Sequence, residues 1–178
     1  MRRRVVGVIA LAVGLLRPVP VPAQQAAPSH RWGVGAGAGI TIPTGAYAAS
    51  DDPGFHGLMY FSYSVRPAFA LGLDVGATRT PHTTNGHTDL TEVLIGVVWR
   101  ARPQATSPRP FLLGSVGVIA VDTDNPDKGR LALGGGAGVS VGHGDARFFM
   151  EARFLHVHGS GGWLSLVPIT AGFATVAP

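Results

Sequence analysis

The sequence predicts an all-β fold, a closed eight-stranded antiparallel up-and-down transmembrane β-barrel. Three observations predict it. Eight segments of about ten residues alternate large apolar with small or polar side chains at period two, and about 9 to 11 residues is the length of a tilted strand crossing a bilayer. Beyond residue 23 no apolar run approaches the roughly 18 residues of a spanning helix, although 46% of the residues are hydrophobic and only 13% are charged. The connections between the segments alternate between short and long, as in barrels with tight turns on one side of the membrane and loops on the other.

The N-terminus comes first. Arg2, Arg3 and Arg4 precede an apolar run from Val5 to Leu16, which is followed by Val21-Pro22-Ala23. That is the three-part plan of a secretory signal peptide, so residues 1–23 are expected to be cleaved after Ala23. Residues 24–30 then form a short periplasmic N-terminal segment, and residues 31–178 the barrel. No Cys follows the apolar run, so a lipoprotein anchor is excluded; with no Cys anywhere, so are thiolate catalysis and Cys-ligated metal. Removal of Arg2, Arg3, Arg4 and Arg17 lowers Lys+Arg from 14 to 10, equal to the 10 Asp+Glu. The mature domain is then neutral, and nucleic acid is not expected as a partner.

From Trp32 to Ile42 the even positions are apolar and the odd ones are Gly33, Gly35, Gly37, Gly39 and Thr41. Gly and Ala disfavour strands on propensity alone, so the alternation points to a crowded interior. Residues 55–65 place Phe55, Met59, Phe61, Tyr63 and Val65 opposite His56, Tyr60, Ser62 and Ser64. Residues 69–77 place Phe69, Leu71, Leu73 and Val75 opposite Gly72, Asp74 and Gly76, and residues 90–100 place Val93, Ile95, Val97 and Trp99 opposite Glu92, Gly96 and Arg100. The fifth strand, 111–121, is apolar on both parities. Leu112, Val116 and Val118 are assigned outward because Ser115 and Gly117 suit a crowded interior, with a bulge able to reverse the facing partway. Strands six to eight, 131–141, 147–157 and 163–173, restore clear alternation, the seventh with Glu151 and Arg153 opposite Phe148, Met150 and Phe154.

With a periplasmic N-terminus the outer loops are 43–54, 79–89, 122–130 and 158–162. The inner turns are 66–68, 101–110 and 142–145, the second longer than is usual for this class. Trp32, Tyr63, Phe69, Trp99, Phe148 and Phe173 all fall at inner strand ends on the outward parity, which predicts a membrane-interface aromatic girdle. A soluble β-sandwich accounts for the alternation but not for aromatics gathered at one end of successive strands.

Four motifs carry a family resemblance: Ile42-Pro43-Thr44-Gly45 closing the Gly-alternating first strand, Pro110-Phe111-Leu112-Leu113-Gly114, Glu151-Ala152-Arg153-Phe154, and Val167-Pro168-Ile169-Thr170-Ala171-Gly172-Phe173. Through them the mature chain resembles the small eight-stranded outer-membrane barrels of the OmpA/OmpX-like kind. The resemblance implies bacterial outer-membrane localisation, contact with outer-membrane lipids and lipopolysaccharide, insertion by the barrel-assembly machinery, and a monomer without cofactor. Family members usually finish on an aromatic residue, whereas this chain continues past Phe173 with Ala174-Thr175-Val176-Ala177-Pro178.

An eight-stranded barrel is just wide enough to be filled by side chains, so no open channel is expected. The inward charges Asp74, Glu92, Arg100, Glu151 and Arg153 must then satisfy one another, in a structural network centred on Glu151 and Arg153. His156, His158 and Ser160, near the outer end of the seventh strand, resemble the lipid A deacylases in their His-x-Ser spacing, but no Asp or Glu follows Glu151 to orient the imidazole. No catalytic residue is assigned, nor any metal ligand: His82 and His87 in one loop and His156 with His158 in another lack a defined ligand geometry. Asp122-Thr123-Asp124-Asn125-Pro126-Asp127 offers oxygen ligands without EF-hand spacing and reads as a hydrated loop. Three functional classes remain open. They are a non-enzymatic envelope barrel acting through its extracellular loops, especially 43–54 and 79–89; a lipid-active enzyme; and a secreted lipocalin-like carrier, which would reverse the facing of its apolar residues.

Overall fold

The structure is a computed structural model, which describes residues 32–101, 103, 108–122, 129–142, 145–159 and 162–177, the side chains of residues 159, 162, 163, 176 and 177 aside. The expected signal peptide and the segment 24–30 lie outside the described residues. Eight strands follow one another: β1 (Trp32–Thr44), β2 (Gly54–Arg66), β3 (Phe69–Pro81), β4 (His87–Arg100), β5 (Arg109–Asp122), β6 (Arg130–Val141), β7 (Ala146–Gly159) and β8 (Gly162–Ala177). Each pairs antiparallel with its sequence neighbours, and β1 closes on β8 to complete an up-and-down barrel. A 3-10 turn, Gly45–Ala49, is inserted after β1.

Every strand is longer than the alternation alone predicts, mostly at the end with the long loops. β3 runs on to Pro81, paired with His87, so the connection to β4 shrinks to residues 82–86. At the other end Arg66 joins β2 across a bulge, leaving Pro67 and Ala68 as the turn. β8 does not stop at Phe173, because Ala174–Ala177 pairs with Gly35–Trp32. The tail beyond Phe173 is therefore part of the closing seam. That seam requires glycine at two places: a Cβ on Gly39 would collide with the carbonyl oxygen of Ile169, and one on Gly172 with that of Ala36.

Facing follows the predicted parity on all eight strands. Leu112, Val116 and Val118 are exposed on the outside while Ile119 and Val121 are buried, and the β4–β5 register runs unbroken, so no bulge reverses β5. The lumen has two unlike halves. Its outer half is packed by Leu90, Leu94, Ile119, Val121, Ala132, Leu155, Val157 and Leu166, beneath Tyr47 of the 3-10 turn. Its inner half holds a cavity of about 580 Å³, lined by Ser62, Ser64, Gly72, Gly96, Ser115, Ser140 and larger neighbours. The expectation of a filled interior is thus corrected for the inner half, where glycine and serine at inward positions supply too little volume to close it.

Candidate functional site: charged lumen, aromatic belt and outer platform

Between the two halves lies a layer of charge. Arg153 donates through Nε to Glu151 Oε1 at 2.6 Å and through Nη1 to Asp74 Oδ2. Strand alternation places Arg153 two residues from Glu151 on the same face of β7, and barrel closure brings Asp74 of β3 to them across the lumen. The guanidinium fork matches this task, since it serves two carboxylates at once from a fixed planar geometry. Of the five predicted lumen charges, three meet here. Glu92 stands toward the outer half, with His56 Nε2 at 4.0 Å from Oε1, and His56 is itself held by Thr78 Oγ1 at 2.8 Å. Arg100 lies toward the inner half, reaching Ser64 Oγ at 3.4 Å. The layer is therefore a three-membered hub with one charge on either side of it. His56 and Tyr60 belong to this layer as well. Their inward parity was legible, but not which groups they would meet.

Outside the barrel the predicted aromatics gather at the short-turn end. Register pairs Trp32 with Tyr63, Phe69 with Trp99, and Phe148 with Phe173. Two of these pairs are in direct ring contact, Trp32 tilted against Tyr63 at 4.8 Å between centroids and Phe148 edge-on to Phe173 at 5.4 Å. Above them Val93, Ile95, Val97, Leu112, Val116, Leu131, Leu133 and Met150 continue an apolar outer surface. Ile95 remains 60% exposed and Phe173 70%. Apolar area of this extent, wrapped around the whole barrel, is far beyond the few-hundred-Å² patches of soluble monomers.

At the opposite end the two loops singled out from the sequence form one ordered platform. Asp51 bridges to His82, the Asp52 N–H donates to the Pro81 carbonyl at 2.9 Å, and the Thr83 N–H donates to the Ser50 carbonyl at 3.0 Å. Thr80 donates to Asp51 Oδ1 at 2.9 Å while its own oxygen lies 2.6 Å from the Tyr47 hydroxyl. Burial raises the pKa of Tyr47, opposed by its bond to Thr80. On the exposed flank Arg79 makes a two-pronged pair with Asp89, at 2.7 and 2.6 Å.

The histidines are committed individually. His82 contacts Asn85 O and Thr88 Oγ1, and His87 lies 3.5 Å from Asp89. His156 and His158 belong to β7 rather than to a loop, and His156 Nδ1 lies 2.7 Å from Ser165 Oγ on β8. Ser160 and residues 123–128 of the acidic loop lie outside the described residues.

No protein-family model and no curated protein matches the chain. Solved structures do match it. Neisserial surface protein A is similar over 81% of this chain and 96% of its own, with a TM-score of 0.64 and 16% identity. Ail, the attachment invasion locus protein of Yersinia pestis, is similar over 82% and 98%, with a TM-score of 0.52 and 14% identity. The N-terminal β-barrel domain of Pseudomonas aeruginosa OprF is similar over 80% and 96%, with a TM-score of 0.51 and 15% identity. The chain thus has the fold of the small eight-stranded outer-membrane barrels.

Proposed function

We propose that the mature chain is a non-enzymatic barrel of the bacterial outer membrane, anchored by its apolar belt, that acts through the platform built by loops 43–54 and 79–89. Export by residues 1–23 and insertion by the barrel-assembly machinery belong to the same reading, with outer-membrane lipids and lipopolysaccharide as its surroundings. The observation that carries it is the direction of the side chains: large apolar groups face outward on all eight strands while the lumen holds Arg153, Glu151 and Asp74. A soluble carrier needs the reverse, because its exterior must face water and its apolar ligand the interior. The platform supports a surface role, since it is tied into the barrel by backbone bonds and displays Arg79, Asp89 and His87 to solvent. Neisserial surface protein A and the attachment invasion locus protein carry names that agree with such a role.

The chain has no Cys, so single cysteines report sidedness without background. Ser50→Cys on the platform should react with a membrane-impermeant maleimide on intact cells, and Ala101→Cys at the short-turn end only after lysis. The protein should fractionate with outer membranes and migrate differently in gels before and after boiling. Recovery in the soluble fraction without a migration shift, or the opposite labelling pattern, overturns the reading.

A further inference from the structure

The cavity in the inner half of the lumen ends at a ring of positive charge. Strand parity turns Arg100 of β4, Arg109 of β5 and Arg147 of β7 inward, and all three line the same volume of about 580 Å³. They are close enough to repel one another: Arg109 experiences both Arg147 and Arg100, and Arg100 experiences Arg147. Nη1 of Arg147 is buried and makes no hydrogen bond. Asp145 at the rim also lines the cavity, which still leaves positive charge in excess at this end among the described residues. Three guanidinium groups on one half-buried wall, one of them with an unmet buried donor, form an arrangement that a bound anion would stabilise.

We propose that this cavity binds a phosphate monoester, its phosphate held by Arg100, Arg109 and Arg147. A guanidinium offers paired donors that match phosphate geometry, and a ring of three can serve a dianion that a single carboxylate would not balance. Hydroxyls of Ser62, Ser64 and Ser140 line the same space as further donors. Glu151 and Asp74, bound to Arg153, close the deep end with carboxylates. An anion is therefore repelled from going further and stops at the ring. Phe111, Phe149 and Leu113 supply apolar wall for the organic body of the ester. The volume lies within the roughly 300 to 1,000 Å³ of small-molecule sites. The phosphate could belong to a soluble ester or to a lipid headgroup, and both present the same group to the ring.

The test uses the full mature chain, refolded in a maltoside detergent in phosphate-free buffer, with two probes: phenyl phosphate and dihexanoyl phosphatidic acid. Phosphorus NMR should show saturable binding of one probe molecule per barrel. Saturable binding of phenyl phosphate assigns a soluble ester; saturable binding of the phosphatidic acid alone assigns a lipid headgroup. Arg147→Gln should weaken binding about tenfold or more, and the pair Arg100→Gln and Arg147→Gln should abolish it, whereas Arg79→Gln on the outer hairpin should leave it unchanged. If either lumen variant fails to fold, Ser140→Asp, which sets a carboxylate opposite Arg109 in register, should block binding instead. Absence of binding by either probe at millimolar concentration, or undiminished affinity in a folded lumen variant, overturns the proposal. Only the side from which the ligand enters rests on the outer-membrane reading. Binding in detergent does not, so fractionation and NMR fail independently.

Discussion

The guanidinium of Arg153 spans the lumen from its strand neighbour Glu151, 2.6 Å from Nε, to Asp74 on the far wall, 79 residues away in the chain. Arg153 and Glu151 are each only 6% exposed, so both charges are largely withdrawn from water. Arg153→Met should therefore lower stability by about 3 to 5 kcal/mol, read as the urea unfolding midpoint in detergent or vesicles, because it leaves the buried carboxylate of Glu151 and the half-buried one of Asp74 unpaired. Combining it with Glu151→Gln and Asp74→Asn should restore part of that loss. A single variant as stable as the parent would show that the hub is not what holds the layer.

The closing seam between β1 and β8 admits no Cβ at Gly39 or Gly172, where the obstacle is backbone of the neighbouring strand rather than a side chain able to swing aside. Gly39→Ala and Gly172→Ala should each destabilise the barrel by about 1 to 3 kcal/mol. The readout is a smaller fraction of the fast-migrating species in unboiled gels. Gly57→Ala, where a Cβ would meet nothing within 4 Å, is the control and should fold normally.

Ile95, at the middle of β4 and 60% exposed, would face acyl chains in the membrane-spanning reading. Ile95→Arg should cost about 2 to 4 kcal/mol in a bilayer. The same substitution on a water-facing wall would be close to neutral, so unfolding in vesicles distinguishes the two surroundings. An unaltered midpoint would remove Ile95 from the lipid interface.

Tyr47 fastens the platform by its hydroxyl, which lies 2.6 Å from Thr80 Oγ1. Thr80 donates onward to Asp51 at 2.9 Å, so Tyr47 is the donor in the first bond and must be protonated. Its pKa is raised in the fold, mainly by burial. A group with a raised folded pKa contributes fully below its unfolded value, here about 10, and loses that contribution as pH rises through the folded one. Protease nicking of loop 45–53 should consequently increase above about pH 10. Tyr47→Phe removes one hydrogen bond, worth about 1 kcal/mol, and should raise nicking at neutral pH while abolishing the alkaline step. A wild-type loop equally resistant at both pH values would exclude this latch.

The outer histidines and the charged layer show how far linear pattern reaches. Inward parity of Asp74, Glu92, Arg100, Glu151 and Arg153 follows from period-two alternation, since a one-residue change of register would turn every side chain to the other face. That Asp74, rather than Glu92 or Arg100, completes the hub depends on the vertical offset between strands, which no strand encodes alone. His156 was legible as a polar residue near the outer end of β7. Its contact with Ser165 follows from the pairing of β7 with β8.

By itself the sequence determined that eight strands exist, which way the seven with a single apolar face point, and where the aromatics gather, because a ten-residue segment with one apolar face can pack in only one sense; the facing of β5, apolar on both parities, needed the structure. Tertiary structure alone decided how far the strands extend, that Ala174–Ala177 closes the barrel against Trp32–Gly35, and that the lumen is packed above its charge layer and hollow below it. These depend on shear and closure, which set side chains from distant strands at one height and so decide which volumes are filled and which charges meet.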